Sequence, residues 1–227
     1  MIINGYEIKP DADLQDANLS RMDLSDLNLE GANLSGADLS HANLKDANLR
    51  DANLFQSNLF KANLEGADLS FAILGETKLI NANLVSTNLK YANLQSAKVE
   101  KANFTRSNVE NVDFREADLF EANFTKSNLY CSDFRGACLK FVNFEKANLK
   151  SVDLGRTSLC GATIDGASLS QNEIGGPGHV LCALTTPEWI LINILRKIRL
   201  EKFRRTILKD KLSQFKRKIL QLPYEIG

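Results

Sequence analysis

Leucine recurs at every fifth residue through most of this chain, and its neighbours repeat in the same order. The stretch from Gly31 to Leu54 reads GANLSGADLSHANLKDANLRDANL, with Ala two residues before each Leu and Asn or Asp between them. From Leu14 to Ile174 the Leu position holds Leu, Phe, Val or Ile in 33 consecutive repeats without a gap. A pattern this regular predicts one structural unit for every five residues.

Neither standard secondary structure buries such a pattern. In an α-helix five residues advance by about 500°, which scatters successive Leu side chains around the cylinder. In a straight strand side chains alternate between faces, so an odd spacing puts successive Leu residues on opposite faces. The chain must therefore turn once per repeat. Ala and Leu share the inward face of a short extended segment, Asn or Asp faces outward, and the next two residues form a corner.

Phe residues at the Leu position indicate how many sides each coil has. Phe occupies positions 104, 114, 124, 134 and 144, whereas the positions between them hold Val or Leu. A spacing of ten favours an even number of sides, because a triangular coil would favour fifteen. With four sides each coil takes four repeats, and the whole series makes about eight coils. Phe104, Phe124 and Phe144 are then expected to stack on one side, and Phe114 and Phe134 on the opposite side. Stacked at about 4.8 Å per coil, they form a rod about 40 Å long.

The repeat A-(N/D)-L-x-x resembles the pentapeptide repeat family. It is seen in Ala32-Asn33-Leu34-Ser35-Gly36 and in the next five residues, Ala37 to His41. The resemblance covers about residues 10–176. It implies an all-β solenoid, a right-handed quadrilateral β-helix of about eight coils. The family is frequent in cyanobacteria, so we expect a bacterial source of that kind.

The ends of the chain differ from the repeats, and we expect four segments. A stack of coils leaves an unpaired edge at each end that needs a cap. Residues 1–10 are the expected N-terminal cap and residues 11–176 the β-helix. Residues 177–186, after a Gly-Gly-Pro-Gly run, are a linker. Residues 187–223 are expected to form a basic amphipathic helix or helix pair, because Thr-Thr-Pro-Glu precedes apolar residues at helical spacing.

Charge is unevenly spread along the chain. Lys and Arg balance Asp and Glu at 28 each, but residues 175–227 carry 11 basic and 4 acidic side chains. Residues 1–51 carry 4 basic and 10 acidic side chains. This asymmetry predicts either mutual attraction or different partners for the two parts.

We find no residue pattern typical of catalysis, a cofactor or a metal. His41 and His179 are the only histidines, and Cys131, Cys138, Cys160 and Cys182 lack C-x-x-C spacing. The Asn/Asp series is best interpreted as side chains that hydrogen-bond the backbone at tight turns. We therefore expect no enzyme activity. The first residues do not resemble a signal peptide and no stretch reads as a membrane span, so a cytoplasmic location with reduced thiols is expected.

Two groups of side chains are candidates for binding a partner. The first is apolar at corner positions that should be polar, with Phe60 expected to stack on Ile80 and Phe71 on Tyr91. Exposed apolar clusters often mark interaction sites, although a C-terminal helix or a second copy of the chain could equally cover them. The second lies on the basic segment. The candidates are Phe55, Phe60, Ile80, Val85, Phe71, Tyr91, Arg204, Arg205, Lys216, Arg217 and Lys218.

These features favour a non-catalytic protein-binding or scaffold rod. One alternative is a DNA-mimicking regulator of a type II topoisomerase, as some family members are, because residues 1–51 are acidic. Another is a scaffold attached to an anionic membrane surface through the basic helices. An unidentified protein is the expected partner, with a homodimer through the C-terminal helices or the apolar corners as a variant. Nucleic acid is disfavoured because no recognition motif accompanies the basic residues.

Overall fold

The computed structural model describes residues 1–168, and most of them wind into a stack of four-sided coils. Parallel bridges at the Asn/Asp position join each repeat to the fourth repeat after it, from Asp13–Asn33 to Asn148–Ser168. Four repeats therefore make one coil, and residues 11–168 make eight coils. The four-sided coil predicted from the Phe spacing is confirmed.

Each repeat binds the next coil through the same backbone hydrogen bonds. The Leu14 amide donates to the Asn33 carbonyl at 2.7 Å, and the Asn33 amide donates back to the Ala12 carbonyl at 2.9 Å. At the corner, the Asp16 amide donates to the Ser35 carbonyl at 2.9 Å. The following Ala17 amide donates to the Leu14 carbonyl at 3.1 Å, which closes a turn. Within the stack, the backbone of each side is therefore bonded by the sides above and below it, as buried backbone groups require.

The second corner residue of every repeat adopts a left-handed backbone conformation. From Asp11 to Gly166, every residue at this position has a positive φ, between 54° and 74°. A left-handed residue in the third position of a turn redirects the chain sharply. This is the local event that bends an extended segment into one side of a square coil.

The core is a column of apolar side chains along each side of the lumen. The Leu-position side chains from Leu14 to Leu154 are at most 3% exposed, and the small residues two positions earlier pack beside them. Phe104 stacks on Phe124 with ring centroids 4.5 Å apart, and Phe114 stacks on Phe134 at 4.8 Å. Rings from the two opposite columns meet edge to face, at 6.2 Å for Phe104 and Phe114. The expected stacking of Phe on two opposite sides is confirmed.

The Asn/Asp side chains make a second, outer set of hydrogen bonds. The Asn48 Oδ1 accepts the backbone N–H of Arg50 at 3.1 Å, and the Asn48 Nδ2 donates to Asn28 Oδ1 at 3.0 Å, one coil earlier. Repeated along a column, these bonds form amide ladders like those of stacked identical strands. The same residue type thus stabilises both the corner and the stacking.

A short hairpin covers the first coil. Strands β1 (Ile2–Ile3) and β2 (Tyr6–Glu7) pair antiparallel around Asn4 and Gly5, which both have positive φ. The Asn4 side-chain amide donates to the Asn18 carbonyl at 2.8 Å. The Tyr6 hydroxyl accepts the Asn18 N–H at 3.3 Å. In later coils these two backbone groups are bonded by the preceding coil, so the hairpin supplies here the bonds that a preceding coil supplies elsewhere.

The predicted linker at 177–186 and the predicted helical segment at 187–223 lie outside the described residues. Residues 1–168 contain no helix of the length and apolar character needed to cross a membrane.

Candidate protein-binding face

The six apolar corner candidates are distributed over all four corners of the coil. Phe55, Phe71 and Tyr91 are 37%, 42% and 47% exposed, respectively, and they lie on the two corners that border one side. Phe60 and Ile80 are half-buried on a third corner, one coil apart. Val85 is half-buried on the fourth. The structure therefore separates Phe60, Ile80 and Val85 from the three more exposed residues.

Phe55, Phe71 and Tyr91 lie on one side of the rod, which we call the aromatic face. Its outward positions in three successive coils are the rows Asp51, Asn53, Phe55; Phe71, Ile73, Gly75; and Tyr91, Asn93, Gln95. Ile73 occupies the centre and is 46% exposed. The aromatic face thus presents four exposed apolar side chains in adjacent rows.

Phe71 and Tyr91 form a stack along the edge of the aromatic face. Their ring centroids are 5.0 Å apart and their planes differ by 25°. The Arg50 guanidinium lies 4.7 Å from the Phe71 centroid, and the Lys90 ammonium lies 5.2 Å from the Tyr91 centroid. Such cation–π contacts hold an aromatic ring in place and keep positive charge beside it.

Both cations of this edge are also paired with carboxylates. Arg50 Nε lies 3.2 Å from an Asp51 oxygen, and Lys90 Nζ lies 3.2 Å from a Glu110 oxygen. Exposed ion pairs contribute little to stability. They do restrict the positions of long side chains, so the stack of rings has a defined polar border.

Gly75 makes room for the Phe55 ring on the opposite edge. A Cβ at residue 75 would lie 3.2 Å from Phe55 Cδ2 and 3.4 Å from Phe55 Cε2. The ring therefore leans over the row of Phe71, Ile73 and Gly75. This close approach explains why a glycine stands at a corner position where φ is not positive.

The aromatic face continues into a ladder of charges towards the C-terminal end. Arg115 Nη2 lies 2.6 Å from Asp113 and Arg135 Nη2 lies 2.5 Å from Asp133. Each arginine also approaches the aspartate of the next coil, since Arg115 Nε is 3.9 Å from Asp133 and Arg135 Nε is 3.6 Å from Asp153. Burial acts to raise the pKa of Asp133, but the hydrogen bonds from Arg135 and the two guanidinium charges outweigh it and lower that pKa. The ladder pairs two arginines with three aspartates, so most of its charge is neutralised internally.

The remaining aromatic contacts of the described residues lie elsewhere on the rod surface or in its core. Phe60 meets the His41 ring edge to face at 5.5 Å, with the Lys61 ammonium 5.2 Å from its centroid. Phe120 and Phe141 meet edge to face at 5.7 Å, and Phe141 is 56% exposed. These two surface clusters are small and are not continuous with the aromatic face.

The sequence did not suggest Ile73 as a candidate, because the apolar candidates were chosen at corner positions and Ile73 occupies an Asn/Asp position. Counting in steps of 20 residues places Ile73 in the row between Phe71 and Gly75, and Gly75 lies one coil after Phe55. This count would have identified Ile73 as part of the face. The basic candidates Arg204, Arg205, Lys216, Arg217 and Lys218 lie outside the described residues.

Nothing in the geometry of residues 1–168 suggests reaction chemistry. No group of three or more His, Cys, Asp or Glu side chains in this part of the chain could hold a metal ion. The Asn/Asp oxygens are used by the backbone two residues later, as in Asp38 to Ser40 at 3.0 Å and Asn53 to Phe55 at 3.1 Å. The rod offers surfaces for contact.

Comparison with known proteins agrees with this architecture. The family described as "Pentapeptide repeats (8 copies)" matches in five overlapping or adjoining segments, residues 12–51, 47–84, 70–106, 100–136 and 137–171. Among curated proteins, none matches the sequence.

Two solved structures share the fold. HetL, a pentapeptide repeat protein involved in heterocyst differentiation regulation from the cyanobacterium Nostoc sp. strain PCC 7120, is 29% identical with a TM-score of 0.51. The alignment covers 76% of this chain and 86% of HetL. QnrB1, a plasmid-mediated fluoroquinolone resistance protein, is 13% identical with a TM-score of 0.51, and the alignment covers 72% of this chain and 92% of QnrB1. The family match spans well over half of the sequence, and the chain belongs to the pentapeptide repeat family of right-handed quadrilateral β-helices.

Proposed function

We propose that this protein is a non-catalytic rod that binds a protein partner through the aromatic face. The observation that carries the proposal is the group of exposed apolar side chains Phe55, Phe71, Ile73 and Tyr91 in three adjacent rows. Contiguous exposed apolar side chains with a polar border are typical of interaction sites.

The rigidity of this face supports the proposal. Its side chains project from a backbone that is bonded to a neighbouring coil on both sides. The backbone of Ile73 bonds to Ala52 and Leu54 of the preceding coil, and its neighbours Ala72 and Leu74 bond to Asn93 of the following coil. Little conformational entropy is lost when a partner docks on such a surface, which favours binding. HetL, the solved relative at 29% identity, is described as involved in regulation, a role that binding without catalysis can fulfil.

Mimicry of DNA is a weaker candidate because the rod carries too little charge. Residues 1–168 hold 17 basic and 23 acidic side chains, so their net charge is −6. Duplex DNA carries one negative charge per about 1.7 Å of axis, or about 22 over the roughly 38 Å of eight coils. The acidic excess also lies wholly within residues 1–51, since residues 52–168 carry 13 charges of each sign. At 13% identity, the likeness to QnrB1 concerns the fold alone.

A quantitative pull-down from native lysate tests the proposal. The baits are the intact chain, a face variant with Phe71→Ser and Tyr91→Ser, and the matched control Phe141→Ser on another corner. A fourth bait changes the basic candidates of the C-terminal segment, Arg204, Arg205, Lys216, Arg217 and Lys218, to Gln.

We expect a partner that the intact chain and the Phe141→Ser bait retain and the face variant loses. A partner retained by the face variant and lost from the Gln variant would overturn the proposal and place binding in the basic segment. Circular dichroism of each bait shows whether the fold is preserved.

A further inference from the structure

The aromatic face can be placed opposite the same face of a second copy whose rod runs in the reverse direction. Its outward side chains form columns along the rod, and each column gains one residue per coil. A two-fold axis perpendicular to the rod and lying in the plane of the face keeps every column in place and reverses the order of the coils. If the axis passes between the row of Phe71 and the row of Tyr91, each residue meets a defined residue of the second copy.

The aromatic column is complementary to itself about this axis. Phe71 meets Tyr91 of the second copy, and Tyr91 meets its Phe71. Each copy contributes its own stack of Phe71 and Tyr91, whose ring centroids are 5.0 Å apart within that copy. The two stacks face each other across the axis. Aromatic side chains are the residue type most enriched at the buried centre of protein interfaces.

The charges along the border are complementary in the same arrangement. Arg50, which lies over Phe71, meets Glu110 of the second copy, which already holds Lys90 at 3.2 Å. On the opposite edge, Phe55 meets Arg115 of the second copy. An antiparallel pair of rods therefore gains two opposite-charge contacts and two arginine–aromatic contacts around a central aromatic group.

Other placements of the axis lose these contacts. With the axis through the row of Ile73, Arg50 meets Lys90 of the second copy, which is a like-charge contact. With parallel rods, each Asp113 faces its own equivalent. In the proposed arrangement the like-charged residues Asp13 and Asp153 meet only at the two ends of the face. Like charges directly opposite each other disfavour the alternatives.

We propose that the aromatic face is a self-association surface, and that its partner is a second copy of this chain in an antiparallel arrangement. The inference rests on the proposed function, since it names the occupant of the face proposed to bind protein. A face about 38 Å long and about 15 Å wide offers roughly 600 Å² per copy. This lies at the lower end of specific interfaces, where weak and reversible association is typical.

Sedimentation velocity of the full chain between about 1 and 200 μM tests the inference. We expect a monomer–dimer equilibrium whose association constant falls at least tenfold in Tyr91→Asp. Phe141→Asp is the matched control, since residue 141 is also an exposed aromatic at a left-handed corner position and lies on another corner. This variant should associate as the unchanged chain does.

A charge exchange tests the arrangement itself. Arg50→Glu and Glu110→Arg should each weaken association at least fivefold, and the double variant should restore most of it. A chain that stays monomeric at the highest of these concentrations overturns the inference, and so does a dimer that Tyr91→Asp leaves intact. A monomer that still loses a lysate partner on Phe71→Ser and Tyr91→Ser would overturn the inference alone and leave the proposed function standing.

Discussion

At the scale of single residues, the corner determines which side chains each position accepts. The second-corner residues from Asp11 to Gly166 all have positive φ, and none of them is Val, Ile, Thr or Pro. The first corner position does hold β-branched residues, among them Ile80, Val85 and Thr105. A β-branched side chain clashes with the backbone in the left-handed conformation, and proline cannot reach it. Backbone sterics therefore exclude Val, Ile, Thr and Pro from the second corner position, one of the five positions of the repeat.

Valine substituted separately at the two positions of one corner should show whether the left-handed backbone conformation selects the residue type. Ser96 has φ 57°, and the preceding Gln95 does not have a positive φ. We expect Ser96→Val to lower the free energy of unfolding by about 1–2 kcal/mol, because the left-handed conformation is strained for that side chain. Gln95→Val, the control on the same corner, should change it by less than about 0.5 kcal/mol. Equal losses in urea unfolding would show that the φ preference does not select these residues.

Aspartate at the start of an amide ladder makes stability depend on pH. Asp23 Oδ1 accepts the Ser25 hydroxyl at 2.7 Å, the Ser25 N–H at 3.2 Å and the Asn43 side-chain amide at 2.9 Å. These bonds, the Ser25 hydroxyl first, lower the pKa of Asp23 below its ordinary value. Since the folded pKa is depressed, the stabilisation is present above the unfolded pKa of about 3.9 and is lost as pH falls through the folded pKa.

Asp23→Asn should therefore flatten the loss of stability with acid. We expect a smaller drop in melting temperature between about pH 4 and pH 2 than in the unchanged chain. Asp26→Asn, at the next corner, makes the same change in net charge and serves as the control for that change. An Asp23→Asn profile parallel to that of the unchanged chain would contradict the assignment.

At the scale of elements, the hairpin and the first coil show how a repeat protein ends. Later coils bond both faces of each side, whereas the first coil has one face without a preceding coil. The hairpin meets this with two side-chain groups, the Asn4 amide and the Tyr6 hydroxyl, on the two backbone groups of Asn18. Ile8 continues the core beneath it at 5% exposure. Capping here is hydrogen-bond replacement as well as burial.

Removing one cap bond should act locally. Tyr6→Phe leaves the Asn18 N–H without its acceptor, so we expect hydrogen exchange at the Asn18 amide to accelerate several-fold. The Asp38 N–H, bonded to the Ala17 carbonyl at 2.9 Å one coil later, should change only with global stability, by about 1 kcal/mol or less. Equal acceleration at both amides would mean that the hairpin stabilises the rod only as a whole.

The repeat made the coil predictable, while the non-repeating elements were not. Spacing alone predicted the inward Leu and Ala, the outward Asn and the opposed columns of Phe104 and Phe114. It placed Phe71 on Tyr91 but did not join them to Ile73 and Phe55 in one face, because the outward direction of each corner residue depends on the left-handed residue that turns the chain. Nor could it predict the bonds of Asn4 and Tyr6, which occur once and follow no period.

At the scale of the whole molecule, the rod is one-dimensional, so surface features are aligned by counting repeats. Each coil contacts only its neighbours, and any whole repeat can be removed without changing the pattern around it. Removing one repeat of five residues rotates all the following residues about the rod axis by one side of the coil. Removing four repeats shifts all the following residues along the rod axis by one coil and leaves every column aligned. The arrangement of the aromatic face therefore depends on repeat number in a way that the core does not.

Two deletions of unequal size test this alignment in the proposed dimer. Deleting residues 96–100 joins Gln95 to Lys101 within the pattern; it moves Glu110 off the border of the aromatic face and puts Arg115 in its place, opposite Arg50 of the second copy. Deleting residues 111–130 removes four times as much of the chain, yet it keeps Glu110 in place and brings Arg135 to the position of Arg115. We expect both variants to fold, and only the smaller deletion to abolish association in sedimentation velocity. Association that survived the smaller deletion, or was lost on the larger one, would show that the columns of this face do not align the two copies.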